Sequence, residues 1–143
     1  MPTSPLPDEL RQLLAKPNPA TMSTLRRDGS PVSVATWYLM DGDRILVNLD
    51  AGRTRMQHLR ADPRVAVTVL DSDSWYTHVS FQGHVDEIAD DRDLSGIDRI
   101  STHYSGNAYP VRDRPRVNVW IAVDRWHGWG DAAKVQQEVE SGG

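Results

Sequence analysis

The stretch ATMSTLRRDGSPVSVATWYLMDGDRILVNLD, residues 20–50, decides the fold. Met22, Thr24, Val32, Val34 and Thr36 alternate with smaller or polar neighbours, the two-residue period of a half-buried strand. The Asp28-Gly29 step between them is a hairpin turn signal, and Asp41-Gly42 repeats it before the apolar run Ile45 to Leu49. Two tight turns between three extended runs predict a three-stranded antiparallel meander.

Working outward, the N-terminal side carries Leu10, Leu13 and Leu14 at helical spacing, entered through Pro7-Asp8 and stopped by Pro17 and Pro19. This predicts a short amphipathic helix over 7–16 that lies on the sheet. On the C-terminal side the period changes after Asp50-Ala51-Gly52. Met56 and Leu59 fall on one helical face until Pro63 disfavours helix at Asp62. A strand follows from Val65, then a long alternating run from Trp75 to Val85. Gly83 within that run implies a bulge or a close approach by something else. Leu94, Ile97, Ile100 and Tyr104 form the next helical stripe. Val117, Val119, Ile121 and Val123 then share one face of a last strand. The expected architecture is mainly β with short helices: six antiparallel strands in one small barrel covering 1–143, with flexible tails at 1–6 and 131–143.

Composition limits what such a domain can do. The 143 residues carry a net charge of −4, which argues against general nucleic-acid binding. There is no cysteine, so disulfides, thiolate metal sites and Cys nucleophiles are excluded. No run approaches the ~20 apolar residues of a membrane span, and the N-terminus has no signal-peptide pattern, so a cytoplasmic protein is expected. The five histidines show no metal-ligand spacing, so no metal is expected, and no serine lies in a nucleophile elbow. No side chain is therefore assigned as catalytic. A reactive centre, if there is one, is supplied by a cofactor.

One local feature stands against the acidic background. GRTR, residues 52–55, places Arg53 and Arg55 between a strand end and the first turn of a helix. A helix N-terminus offers unpaired N–H groups, and arginine adds a planar fork that holds two phosphate oxygens. Two residues apart in an extended loop, both guanidinium groups would face the same anion. Five tryptophans against one phenylalanine also supply rings that either bury an interface or wall a flat ligand.

Taken together, TLRRDGSP, DGDRILVN and R-x-R-x-x-x-L-x-x-DPR resemble the pyridoxamine 5′-phosphate oxidase-like split-barrel flavoproteins. Within them the chain is most similar to the branch that uses the deazaflavin coenzyme F420. The resemblance covers roughly residues 6–130 and is tightest over 23–67. It implies a homodimer of six-stranded split barrels with cofactor sites at the interface. Arg53 and Arg55 would hold the cofactor phosphate. Val34, Ala35 and Thr36 would lie along the tricyclic ring. Asn48 and Leu49 would approach the ring and its ribityl chain, Met56 and His58 would belong to the following helix turn, and Trp75 would border the pocket. The implied activity is hydride transfer from reduced F420 to an unsaturated or electrophilic small molecule, with solvent, Tyr38 or His78 as proton source. FMN in place of F420, or a non-catalytic carrier of either, are the alternatives. Arg60, Arg64, Arg112, Arg114 and Arg116 would form a basic track for the acidic tail of F420.

Overall fold

The computed structural model describes residues 1–142. Its elements run α1 (Asp8–Leu14), β1 (Ala20–Leu25), β2 (Pro31–Thr36), β3 (Leu39–Asp41), β4 (Arg44–Asp50), α2 (Thr54–Ala61), β5 (Arg64–Leu70), β6 (His78–Asp90), α3 (Ser95–Ser105), β7 (Arg116–Trp129) and α4 (Asp131–Ser141). All seven strands belong to one antiparallel sheet, ordered β2-β1-β5-β6-β7-β4-β3.

That order corrects the six-strand count and the meander. Both turns form where the sequence places them, with Gly29 and Gly42 at φ 86° and 62°. The run between them, however, is two strands. Residues 31–36 pair with β1, whereas residues 39–41 pair with β4. The break falls at Trp37 and Tyr38. Tyr38 turns inward to 1% exposure, and its hydroxyl donates to the Leu14 carbonyl at 2.8 Å while accepting from Asn18 Nδ2 at 3.0 Å. These bonds tie the crossing to α1.

The consequence is global. β2 and β3 occupy opposite ends of the sheet, yet only two residues separate them. Three Cα–Cα steps span at most about 11 Å, so the sheet must curl until its edges almost meet. The result is a barrel left split along the β2–β3 seam. Its interior is filled by alternate residues of each strand: Met22, Ile45, Val47, Val67, Val69, Val79, Phe81, Val119 and Ile121 are all at most 1% exposed. α1 closes the barrel with Leu10 and Leu14, and α2 with Met56 and Leu59.

Gly83 is a close approach, as its position in the strand implied. A Cβ there would lie 2.1 Å from the Ala122 carbonyl oxygen, at a register shift between β6 and β7. β6 begins at His78, not at Trp75, because Ser74 to Thr77 form a turn closed by Thr77 N–H to Ser74 O. The tails differ from expectation too. Leu6 is 3% exposed, and Trp126 N–H donates to Pro2 O. Residues 131–141 form α4, held by Ala132 against the core and by Gln136, whose Oε1 accepts from Gly128 N–H. Among the described residues, no helix is long and apolar enough to cross a membrane.

Candidate functional site

β4 explains how the site is built. Its residues are buried on both faces. Odd positions, Leu49 included, face the barrel core; Leu46 and Asn48 face outward. Asn48 is a junction there. Its Nδ2 donates to Asp91 Oδ2 (2.9 Å) and to Asn118 Oδ1 (2.8 Å), and its Oδ1 accepts from Arg116 Nε (2.7 Å). Asp91 in turn accepts from the Gly96 and Ile97 N–H groups at the start of α3, both at 2.9 Å. The carboxylate thus meets the positive end of the helix, and α3 is pinned over the outer face of β4. Gly96 is obligatory in this arrangement, since a Cβ would lie 2.1 Å from Asn118 Oδ1.

Between α3 and the barrel seam lies a cavity of about 580 Å³. Its walls include Ala35, Thr36 and Trp37 from the end of β2, Asn48 from β4, Ile97, Ile100 and Tyr104 from α3, and Tyr109 and Arg116. Trp37 stacks on Tyr104 at 5.1 Å with planes 9° apart, and Arg116 lies 4.7 Å over the Tyr109 ring. Tyr104 donates its hydroxyl to Asn18 O at 2.6 Å, and burial pushes its pKa up to about 12.

The arginines of the 52–55 loop sit at the far end of β4, but not as the extended-loop geometry required. Arg53 is the residue before α2 and is exposed; Arg55 is inside its first turn and half-buried. Arg55 Nη1 is fully enclosed and has no hydrogen-bond partner among the described residues. Desolvation, and then the charge of Arg53, hold the Arg55 pKa below its ordinary value. Because Asp50 pairs with Arg116 across β4 and β7, two further arginines arrive beside this loop. Asp50 takes Gly52 N–H on Oδ1 (2.9 Å) and Arg114 Nε on Oδ2 (2.8 Å). Its pKa is lowered by the Gly52 N–H first, and then by Arg114, Arg116 and Arg53. Three guanidinium groups, those of Arg53, Arg114 and Arg116, thus gather near one carboxylate.

Of the ten residues named from the sequence, Ala35, Thr36 and Asn48 line one cavity. Arg53, Arg55, Met56 and His58 share the first turns of α2, where His58 Nδ1 lies 3.2 Å from Thr24 Oγ1. Val34 lies on the core-directed side of β2, opposite Met22, and is half-buried. The Leu49 and Met56 side chains are committed to the core at 2% and 3% exposure, leaving only their main chain for a ligand. Trp75 stacks on Tyr76 in the exposed turn before β6 and lines no part of the cavity. Arg64 belongs to another region, paired with Asp62. Tyr38 is withdrawn as a proton source, since its hydroxyl is buried and bonded to Leu14 O, and desolvation raises its pKa well above the usual range. Asp91 is 3% exposed. The roles of Asp91, Tyr104 and Tyr109 have no signature in the sequence; only the approach of α3 to β4 reveals them.

A barrel split at one seam, with a cavity at the seam and an enclosed, unpaired arginine nitrogen beside one strand end, is a split-barrel architecture. Residues 6–130 match the family model described as pyridoxamine 5′-phosphate oxidase, and the chain belongs to that family. Similar solved structures include an F420 reductase, with 24% identity over 85% of this chain and 98% of that one and a TM-score of 0.78. A conserved hypothetical protein of Mycobacterium tuberculosis shares 25% identity over 89% and 86% of the two chains, with a TM-score of 0.68. General stress protein 26 of Bacillus anthracis shares 15% over 87% and 95%, with a TM-score of 0.63. No curated protein matches the chain.

Proposed function

We propose that the protein is an F420-dependent oxidoreductase that reduces an electrophilic small molecule. One observation carries the reading: Arg55 Nη1 is enclosed without a partner among the described residues, at the N-terminal turn of α2. At this half-buried side chain an unpaired guanidinium N–H costs about 0.5–1 kcal/mol after solvent screening, and a phosphate oxygen on the guanidinium would offset that cost. The residues present therefore fit the phosphate of the cofactor, with Arg53 as the outer partner. The likeness to a protein named F420 reductase favours F420 over FMN.

When bound, reduced F420 supplies a hydride. The chain's residues do the rest. Arg55, and Arg53 beside it, anchor the anion at the first turn of α2. Val34, Ala35 and Thr36 offer a strand edge with no neighbour beyond it, against which a flat ring can lie. Asn48 is fixed by three side-chain bonds and gives that surface a rigid margin. Trp37 and Tyr104 give the cavity an aromatic wall. The Tyr104 hydroxyl is spent on Asn18 O, Tyr38 is buried and His78 stacks on Trp129 and does not line the cavity, so the proton that balances the hydride comes from solvent. A second copy of the chain covering the exposed outer face of β2 belongs to this reading, and light scattering at a dimer mass is its expected sign.

The test is titration of purified protein with F420 and with FMN, followed by assay of the reduced cofactor against electrophilic acceptors. F420 is expected to bind the more tightly, and its binding is expected to weaken in Arg55→Met. Preferential FMN binding would move the protein to the flavin branch. Tight F420 binding without turnover would make it a carrier.

A further inference from the structure

Arg116 is held by Asn48 and, among the described residues, makes no salt bridge, although its charge is felt by Asp50. Asn48 fixes one edge of its guanidinium, through Nε to Oδ1 at 2.7 Å and Nη2 to the Asn48 carbonyl at 3.3 Å. Tyr109 covers one face at 4.7 Å. The nearby carboxylates are already engaged. Asp50 serves Gly52 and Arg114, and Asp91 serves Asn48 and the start of α3. Arg116 Nη1 has no hydrogen-bond partner among the described residues, yet the side chain lines the 580 Å³ cavity. A guanidinium pre-ordered in this way loses little entropy when it takes an oxyanion.

The rest of the cavity complements the other end of such a ligand. Trp37 and Tyr104 are stacked with nearly parallel planes, and Ile97 and Ile100 supply an apolar floor. We infer that the α3 side of this cavity, across from the strand edge offered to the cofactor ring, is the acceptor site and takes a flat, conjugated monocarboxylate, its ring system among Trp37, Tyr104 and the isoleucines and its carboxylate on Arg116. The occupant's role as hydride acceptor rests on the function proposed above; its binding does not, because every group involved belongs to the cofactor-free chain.

2-Naphthoate and 2-naphthamide separate the ring from the charge. Titrated into the cofactor-free protein and followed by calorimetry and tryptophan fluorescence, naphthoate is expected to bind roughly tenfold or more tightly than the amide, the loss of one charge-assisted contact. Arg116→Gln is expected to reduce naphthoate to the amide's affinity while leaving amide binding unchanged. Arg116→Lys retains part of the preference and shows that the site still folds. Ile100→Trp, which fills the floor, is expected to abolish binding of both. Equal affinity for acid and amide, no binding of either, or an Arg116→Gln variant that keeps the preference overturns the inference. Arg55→Met distinguishes the two proposals: it is expected to lose F420 and keep naphthoate. Loss of naphthoate preference with F420 binding intact would fell this inference alone.

Discussion

Replacing Arg55 by methionine moves two observables in opposite directions if the cation is there for an anion. In the cofactor-free chain Nη1 is enclosed and unpaired, and both burial and Arg53 disfavour its charge. An unsatisfied buried donor costs about 1–3 kcal/mol. The side chain is only half-buried, so solvent screening reduces the recoverable part to about 0.5–1 kcal/mol. Methionine keeps the apolar stem and its packing. Thermal unfolding without ligand is therefore expected to rise by roughly 1–4 °C, from about 2–4 °C per kcal/mol for a chain of this size. F420 affinity should fall by about 1.5–3 kcal/mol, roughly ten- to a hundredfold. Melting by circular dichroism and titration of F420 fluorescence read the two effects on one preparation. A melting point lowered by more than about 3 °C would mean that Arg55 serves the fold, and unchanged affinity would remove the α2 turn from the site.

Gly83→Ala should be severe, because its Cβ meets a main-chain oxygen at 2.1 Å in the middle of the β6–β7 pairing; a loss of about 3 kcal/mol in urea unfolding is expected. Asp91→Ala removes the acceptor of two α3 N–H groups and of Asn48. It should cost about 3 kcal/mol and enlarge hydrogen exchange across α3 while sparing the barrel interior. The Gly52 N–H, and then the neighbouring arginines, hold the Asp50 carboxyl below its ordinary value, so its stabilisation is complete above the unfolded pKa and is lost as pH falls through the lower folded one. Asp50→Asn should accordingly flatten the stability profile between about pH 5 and pH 2, and an unchanged acid limb would exclude Asp50 from it.

The elements were legible where local chemistry decides them. Asp-Gly turns, the Pro7–Asp8 helix entry and the apolar alternation of β7 all form as read. The meander failed for a non-local reason. Val32 to Met40 is a good strand by pattern, and it breaks where the buried Tyr38 hydroxyl donates to Leu14 O and accepts from Asn18 Nδ2. The polar tail at 131–141 was misread in a similar way. Its helix is decided by Ala132 and Gln136 meeting β7, not by an apolar stripe strong enough to see. The site was half visible. Arg53 and Arg55 stand out in a short span, but Arg114 and Arg116 join them only through the Asp50–Arg116 register, which no spacing reveals.

The break in the strand and the cavity have one cause. Had β2 run on unbroken to residue 41, it would have paired along both neighbours and sealed the barrel, leaving no edge for a ligand. Instead the chain leaves β2 at Thr36 and buries Tyr38 under α1. Trp37 is left 38% exposed, in the one place where a ring can stack on Tyr104. The bonds that hold Tyr38 also reach Asn18, whose carbonyl receives the Tyr104 hydroxyl. One hydrogen-bonded chain therefore fixes both the failure of the barrel to close and the aromatic wall of the space left open. Tyr38→Phe interrupts that chain without changing the size of the ring. It is expected to destabilise the fold by about 1–2 kcal/mol, because Leu14 O loses a buried donor. The same substitution should weaken naphthoate binding, although residue 38 does not line the cavity. Unchanged naphthoate affinity in a destabilised variant would show that seam and cavity are built independently.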